Sequence, residues 1–363
     1  MQYLSFRDID WTLLIVVLLI CAVGVVQIYS ATLGTDTHNA WWKQILFVLG
    51  GLFLMWVVLS IDYHTWLHHV PLMYILSVVA LLGTALVGVA VGGSNRWIPL
   101  PGGNRFQVSE FVKPVIILLV ARYLTELKSD VLEIREMLIL LVLVLIPAGI
   151  VLKQPDLGTA LTYLAVLVVG AFLAGLNWKY IAAVALVAVL VLPVTWTFVL
   201  QDYQKQRWIS FLDPELDPKD KGYQLIQSKI AIGSGGMLGK GVTQGTQAKL
   251  RFLPVPYKDF IFAAFGEEQG FVGVVFMLSL YFVMIMRIVQ NAQTASERSG
   301  MYICMGVAAL LLSHILVNVG MVVGLMPVTG IPLPFMSAGG SSIWSNFVAL
   351  GLVSNVRLRR FVN

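Results

Sequence analysis

The 363-residue chain has little charge and almost no cysteine. Asp, Glu, Lys and Arg make up 12% of its residues, about half of the roughly 25% that is typical of soluble domains. Hydrophobic residues make up 58%, and the mean hydropathy is +0.84. A single soluble core could not bury so much apolar surface, because such cores stop growing at about 250–300 residues. The composition excludes disordered, collagen-like and disulfide-scaffold classes, and it predicts an all-α polytopic membrane protein.

The two cysteines, Cys21 and Cys304, each lie within an apolar run and indicate no disulfide. The formal net charge is +5 and the isoelectric point is about 9.1. In a soluble protein this balance would suggest nucleic acid, but in a membrane protein it reflects orientation and anionic lipid. We therefore expect membrane lipid, and no nucleic acid, among the partners of this chain.

Ten apolar segments approach the roughly 17–25 residues that a membrane-spanning helix needs. They are 11–30, 45–61, 70–91, 109–124, 137–152, 157–176, 181–200, 260–286, 301–325 and 341–356. The first exceeds the h-region of a signal peptide, about 7–15 residues, and follows an acidic segment, so we expect an uncleaved span. The sequence predicts one integral membrane domain, 1–363, with a large extracytoplasmic loop, 201–259, between spans 7 and 8.

The distribution of basic residues predicts that both termini lie in the cytoplasm. With the N-terminus inside, the short inner segments hold ten Lys and Arg residues and the short outer loops hold four. Short cytoplasmic loops carry such an excess, whereas long loops contribute little to the rule. The 201–259 loop then lies outside. Its aromatic residues and its apolar stretch 224–232 indicate an ordered loop that skims the membrane.

Ionisable residues at membrane depth are rare and usually functional. Glu110 and Lys113 lie three residues apart in span 4, so they share a helix face and can pair. The pair could lock two helices together or belong to a substrate site. Asp156 begins span 6 and could be a helix cap or take part in chemistry. Asp259 precedes span 8, where an aspartate is most often a cap.

These charges converge on the outer face of the membrane, which Glu267 and Glu268 also approach. The uncharged segment 326–342 has three prolines and could form a re-entrant cavity wall or an ordinary loop. Transport sites usually lie near the midplane, so a cluster at one face favours chemistry on a lipid-anchored substrate. We expect His314 to be a packing residue, with Asn318 as its hydrogen-bond partner.

Five motifs, in order along the chain, resemble those of a known family. They are RFQVSEFVKP at 105–114, QPDLGT at 154–159, GYQLIQSKIAIGSGG at 222–236, FLP with DFIF and GEE between 252 and 268, and GIPLP with SAGGS between 330 and 341. Over essentially its whole length the chain resembles the SEDS family (shape, elongation, division, sporulation). The sequences of segments 228–236 and 245–247 favour the RodA branch over the FtsW branch.

The resemblance implies a peptidoglycan glycosyltransferase. Such proteins polymerise lipid II into glycan strands at the outer face of the bacterial cytoplasmic membrane during cell elongation, with a class B penicillin-binding protein that crosslinks the product. The family's essential outer-loop aspartate corresponds to Asp259. Its span-4 acid and lysine correspond to Glu110 and Lys113. Its span-6 aspartate corresponds to Asp156, and Gln154 of the same motif is expected at the cavity.

Three positions depart from the family pattern. Val255 stands where the family commonly has glutamate, so any role of that glutamate is absent here. Lys258 stands in place of threonine and could hold the neighbouring Asp259 ionised, as a nearby cation does. Val108 replaces the usual proline, with little expected effect.

The implied reaction joins the sugar 4-hydroxyl of one lipid II to the anomeric carbon of the growing lipid-linked glycan, and undecaprenyl pyrophosphate leaves. A hydroxyl is a weak nucleophile, so we expect Asp259 to act as general base. Cations must offset the charge of the leaving group, and the candidates are Lys113, Arg105, Arg207 and Lys229. Asp156 and Glu110 would position them. The sequence requires no cofactor, although a divalent cation, of unknown identity, could share this role.

Two other functions remain open on the sequence alone. A lipid II flippase should carry ionisable groups at several depths and should tolerate Asp259→Asn. A non-catalytic scaffold that activates a penicillin-binding protein should tolerate the loss of every cavity charge.

Overall fold

The computed structural model describes residues 9–91, 94–99, 105–127, 132–176, 179–180, 182, 197, 202–217 and 221–360. This part of the chain is mostly helical. Five of its helices are long and apolar enough to cross a membrane. Helices overlap nine of the ten predicted spans in the described ranges, while span 7, 181–200, lies almost entirely outside them. The total of ten spans stays a prediction.

The first half of the described chain holds seven helices. They are α1 (Trp11–Thr32), α2 (Ala40–Ser60), α3 (Tyr63–His68), α4 (Val70–Val87), α5 (Val108–Thr125), α6 (Ile134–Lys153) and α7 (Leu157–Leu173). Local capping fixes several starts. Asp10 accepts from the backbone N–H of Leu13 at the start of α1, and Glu133 and Glu136 form a capping box on α6. Each cap satisfies backbone donors that have no partner within the helix.

A small antiparallel sheet connects α4 to α5. It comprises β1 (Val89–Val91), β2 (Ser94–Pro99) and β3 (Arg105–Phe106), in that spatial order. The expectation of an all-α fold is wrong in this connection, and predicted span 3 ends at Val87 rather than at residue 91. The reason is local, because β-branched Val89 and Val91 favour a strand and the Gly-Gly pair at 92–93 is typical of a hairpin turn.

The second half begins within segment 201–259, which contains helices in the part that the structure describes. They are α8 (Asp202–Leu212), a 3₁₀ turn (Pro214–Leu216), α9 (Lys221–Ser234) and α10 (Thr246–Lys249). Three longer helices follow: α11 (Ile261–Gln293), α12 (Arg298–Val323) and α13 (Gly340–Arg359). Helix α9 packs against α11 and α12. That the segment skims the membrane stays a prediction.

Helix α12 lies at the centre of the bundle. It packs against α5, α7, α9, α11 and α13. In its most apolar 18-residue window 67% of the residues are buried, against 22% for α11. A helix that is mostly buried is surrounded largely by protein rather than by lipid. The buried polar side chains His314 and Asn318 of α12 therefore face other helices, and they can take part in a site.

Helix α11 is broken at Gly270, where φ is 64° and ψ is −166°. The backbone groups freed by the break pair with the glycine-rich turn 236–241 at 2.9–3.1 Å. The helix donates from Phe271 N–H to Gly236 O and from Val272 N–H to Met237 O. The turn donates from Lys240 N–H to Glu267 O and from Gly241 N–H to Glu268 O. A Cβ on Gly270 would lie 2.2 Å from the backbone nitrogen of Gly239. Irregular backbone in a membrane needs such partners, because lipid supplies none.

Candidate active site

A cavity of about 810 Å³ opens where the sheet, α5, α7, α9 and the segments 255–259 and 328–342 meet. Its charged lining consists of seven basic residues and four acids. The basic residues are Lys43, Arg96, Arg105, Lys113, Arg207, Lys221 and Lys258, and the acids are Asp36, Glu110, Asp156 and Asp259. The cationic surplus suits an anionic ligand. Six of the eight predicted site residues line this cavity, Asp259, Glu110, Lys113, Asp156, Arg105 and Arg207.

Glu110 and Lys113 form a buried ion pair within the first two turns of α5. Lys113 Nζ lies 2.8 Å from Glu110 Oε1, and the lysine side chain is only 1% exposed. Lys113 Nζ also lies 3.2 Å from Nε2 of His314 on α12. Ser345 Oγ of α13 donates to the Glu110 carbonyl oxygen at 2.6 Å. Three helices thus meet at this pair, and His314 contacts Lys113 rather than the expected Asn318.

Asp156 is a helix cap that also lines the cavity, and a part of Asp156 in chemistry stays a prediction. Its carboxylate accepts from the backbone N–H of Thr159 at 3.2 Å and from Thr159 Oγ1 at 2.9 Å, which caps α7. Its Oδ2 also accepts from Gln107 Nε2 at 3.0 Å and lies 2.6 Å from Arg96 Nη1. The sheet and α5 are thereby joined to the start of α7.

The backbone around Asp259 is fastened to the segment 326–342. Asn318 Nδ2 donates to the carbonyl oxygens of Asp259, at 2.9 Å, and of Ile331, at 2.8 Å. Ser337 Oγ donates to the carbonyl oxygen of Lys258 at 2.7 Å. Segment 326–342 therefore lines the cavity and holds the backbone next to Asp259 in place, while its re-entry into the membrane stays a prediction.

Opposing influences act on the carboxyl group of Asp259. Burial against the cavity walls is the largest and raises its pKa, and the charge of Asp156 acts in the same direction. The charges of Lys258, Arg96 and Lys221 lower it but are outweighed, so the pKa of Asp259 is raised above its ordinary value. Lys258 acts in the direction that the sequence predicted without deciding the outcome.

Arg105 and Arg207 reach the cavity from different elements. Arg105 begins β3 and is exposed, and Arg207 of α8 donates to the carbonyl oxygen of Thr329 at 3.5 Å. The two guanidinium groups therefore add positive charge to the cavity from β3 and from α8.

Two predicted site residues lie elsewhere. Gln154 is buried beneath α4, where its side-chain amide donates to the carbonyl oxygen of Leu81 at 2.9 Å and to Thr84 Oγ1 at 3.1 Å. Lys229 is exposed on α9 and lies along Gly324, outside the cavity lining. Their placement in the cavity is thus wrong. A motif fixes the neighbourhood of a residue but not the direction in which its side chain points.

Glu267 and Glu268 are buried and lie outside the cavity lining. Glu267 Oε1 accepts from the backbone N–H and from Oγ1 of Thr246, both at 2.9 Å, and pairs with Lys240 Nζ at 2.6 Å. Glu268 accepts from Ser30 Oγ of α1. The two glutamates therefore anchor the 240–247 turn and α1 to α11.

Several cavity residues escaped sequence reasoning, chiefly Arg96, Gln107 and His314. Gln107 lies within the first motif, which is a usable signal. Arg96 lies in β2, outside the five motifs. His314 shares a helix face with Asn318, but one sequence does not reveal that Lys113 is opposite.

Acidic and imidazole side chains do not gather into a metal site in the described part of the chain. Within those residues, no group of three or more His, Cys, Asp or Glu side chains could hold an ion. The carboxylates of Glu110 and Asp156 already pair with Lys113 and Arg96. The divalent cation stays a prediction.

The fold and the cavity define a class, a helical membrane protein with a cationic site at one end of its bundle. The chain belongs to the FtsW/RodA/SpoVE family, since the model of that family, a cell cycle protein, matches residues 10–360. The resemblance inferred from the five motifs is therefore confirmed.

Similar proteins carry names that agree with this family. The chain is 38% identical over 358 residues to the peptidoglycan glycosyltransferase MrdB of Escherichia coli K12, covering 97% of this chain and 94% of the relative. It is 33% identical to the peptidoglycan glycosyltransferase RodA of Treponema pallidum, covering 99% of this chain and 100% of the relative.

Solved structures share the fold. A chain from a study of how a peptidoglycan synthase complex coordinates polymerization and crosslinking superposes with a TM-score of 0.84 at 29% identity, covering 98% of this chain and 99% of that one. The rod shape determining protein RodA of Thermus thermophilus superposes with a TM-score of 0.73 at 28% identity, covering 98% of each chain.

Proposed function

We propose that this chain polymerises lipid II into glycan strands at the cavity, with Asp259 as the general base and undecaprenyl pyrophosphate as the leaving group. The family match and the relatives' names make the chain a peptidoglycan glycosyltransferase of the RodA type, as the sequence predicts. The observation that carries the finer proposal is a carboxyl group of raised pKa, Asp259, in the wall of a cationic cavity.

The reaction requires a base for the attacking hydroxyl and, close to it, cations that stabilise the negative charge of the leaving pyrophosphate. Asp259 takes the proton of the attacking 4-hydroxyl as the new bond forms from its oxygen to the anomeric carbon of the donor. The bond from that carbon to the pyrophosphate breaks, and the proton passes from Asp259 to solvent. A base with a raised pKa accepts a proton more readily near neutral pH, which favours this role.

Cations of the cavity balance the charge that develops on the departing pyrophosphate. Lys113 is the leading candidate, because its buried ammonium group lines the cavity and is fixed from two sides. Arg105 and Arg207 add charge nearer the opening. Asp156, held by Arg96 and Gln107, ties the sheet to α7 and shapes the wall between these groups.

We further propose that the protein lies in the bacterial cytoplasmic membrane with ten spans, both termini inside and the cavity outside. The distribution of basic residues supports this orientation. A class B penicillin-binding protein is the proposed partner. Support comes from the structural neighbour, which belongs to a peptidoglycan synthase complex that coordinates polymerization with crosslinking.

The test is polymerisation of lipid II by the purified protein with its penicillin-binding partner. Wild type should make glycan, and Asp259→Asn should lose about 100-fold or more of the rate, which is the usual contribution of a general base. Asp213→Asn is the matched control, because Asp213 is exposed, belongs to the same loop and keeps its capping oxygen as asparagine.

Each outcome selects one function. Normal polymerisation by Asp259→Asn would place the base elsewhere. If neither wild type nor Asp259→Asn makes glycan, the polymerase proposal fails. The flippase is then favoured if purified wild type moves lipid II across vesicle membranes, and the scaffold is favoured if wild type only activates the partner. The one-sided position of the cavity disfavours the flippase.

A further inference from the structure

One face of α12 contacts both halves of the proposed machinery. His314 and Asn318 are four residues apart, so their side chains project from the same side of the helix. Asn318 holds the backbone of Asp259, and His314 touches the ammonium group of Lys113. Both side chains are fully buried. The mechanism above uses the base and the lysine but assigns no task to the histidine between them.

The contact fixes the donor and the acceptor. A lysine ammonium group only donates hydrogen bonds, so Nε2 of His314 must accept and Nδ1 must carry the proton of the ring. Lys113 has three N–H donors. Glu110 Oε1 takes one at 2.8 Å and His314 Nε2 takes another at 3.2 Å. The third is left for the cavity, which Lys113 lines.

We propose that His314 is a positioning residue, which holds the Lys113 ammonium group so that one N–H points at the pyrophosphate of the donor. The inference rests on the proposed function. Lysine is a flexible point charge on a four-carbon stem, and its head group can rotate about Glu110 alone. A second acceptor on a buried helix removes that freedom, and preorganised charge stabilises a transition state without reorganisation.

This task has a kinetic signature. The donor pyrophosphate is already anionic when it binds, and it gains further charge only as the sugar–phosphate bond breaks. A lysine that is present but misdirected should therefore lower kcat more than it changes KM. A histidine that merely fills space between α5 and α12 would instead affect stability.

The experiment compares His314→Leu, His314→Gln and Ser313→Ala in the lipid II polymerisation assay with the partner present. Leucine keeps the bulk and removes the acceptor, and kcat should fall about tenfold with KM changed less than twofold. Glutamine places an amide oxygen near the position of Nε2 and should restore most of kcat. Ser313→Ala is the matched control on the same helix, because its hydroxyl bonds only its own helix backbone, and it should match wild type.

A double-mutant cycle separates positioning from packing. In a Lys113→Met background, His314→Leu should cause no further loss of kcat, because the group that it positions is gone. An equal loss in both backgrounds would overturn the inference. So would an unchanged kcat in His314→Leu, or a His314→Gln protein as slow as the leucine variant at wild-type thermal stability. Inactive wild type would overturn the proposed function as well, whereas these other results leave it intact.

Discussion

Two aspartates stand ahead of long helices, Asp10 buried and Asp259 partly exposed, and their surroundings shift their pKa values in opposite directions. Asp10 precedes α1, and burial alone would raise its pKa. Hydrogen bonds from Arg287, the Leu13 N–H and Asn291, with the charge of Arg357, outweigh burial and hold the pKa of Asp10 below its ordinary value. Asp259 precedes α11, and there burial outweighs the nearby cations, so its pKa is raised.

The difference lies in direct hydrogen bonds rather than in the number of nearby cations. Asp10 Oδ1 and Oδ2 accept from two arginines and one asparagine at 2.9–3.2 Å, and its side chain is 1% exposed. The cations that lower the pKa of Asp259 act through charge alone. Environments that push two similar acids apart distinguish structural from chemical roles. Asp10 ties α1, α11 and α13 together, whereas Asp259 keeps the capacity to bind a proton.

Neutralising each aspartate tests whether the two sites differ in their effect on stability. Asp10→Leu should lower the free energy of unfolding by about 3–5 kcal/mol, because Arg287 and Arg357 lose their buried counter-charge. Asp259→Asn should leave stability equal or slightly increased, because an acid whose pKa is raised in the folded state is destabilising when ionised. Thermal unfolding in detergent measures both. Equal losses would show that the two sites do not differ in kind.

Replacing an arginine partner of a buried aspartate, Arg287 of Asp10 or Arg96 of Asp156, should lower stability by less than replacing Asp10. Arg287→Gln should cost about 2–3 kcal/mol, because Arg287 makes three contacts to the buried carboxylate of Asp10, at 2.9–3.2 Å. Arg96→Gln should cost about 1 kcal/mol, because Arg96 contacts Asp156 through Nη1 and Asp156 keeps its bonds to Thr159 and Gln107. Chemical unfolding of the two variants at equal detergent concentration checks the ranking. A larger loss for Arg96→Gln would contradict it.

The raised pKa of Asp259 should be visible in the pH dependence of polymerisation. The base must be ionised, so kcat/KM should fall as the pH drops through a value above the ordinary aspartate range. Lys258→Gln removes a charge that lowers this pKa, so the acid limb of the profile should move to higher pH. Lys249→Gln, in the same loop but outside the cavity lining, is the control. A shift to lower pH in Lys258→Gln would contradict the assignment of Asp259.

The smallest effect concerns an exposed histidine. Burial would lower the pKa of His64, but Glu297 and Asp62 outweigh it and raise that pKa. The stabilisation is therefore fully present below about pH 6.5, the ordinary histidine value, and is lost as the pH rises through the folded value. Because these side chains are about half exposed, it should stay under about 1 kcal/mol. Thermal unfolding at pH 6 and pH 8 should differ less in His64→Gln than in wild type.

The positions of the helices follow well from the sequence, because a membrane span needs about 20 apolar residues and a run of that length stands out from shorter apolar stretches. The start of α1 was predicted to the residue, and that of α12 within three residues. The sheet between α4 and α5 was missed, because strands of two to six residues carry little periodicity. Span 7 lies outside the described residues and stays a prediction.

The site was less predictable than the helices. The rarity of charge at membrane depth made Glu110, Lys113 and Asp156 candidates with a structural alternative, the family motifs made them site residues, and all three line the cavity. The motifs and the search for cations also placed Gln154 and Lys229 in the cavity, where they do not lie. Side-chain direction and pairing between distant helices depend on packing, which one sequence does not reveal.

The break in α11 has a consequence for the order of assembly. The backbone groups around Gly270 find partners in the turn 236–241, which precedes them in the chain. We expect this turn to be synthesised before the part of the helix beyond the break, so that the freed backbone groups of the helix find their partners by docking there. An insertion between residues 236 and 241 would displace this docking surface. We therefore expect the length of this turn to affect the insertion of the helix that is broken at Gly270.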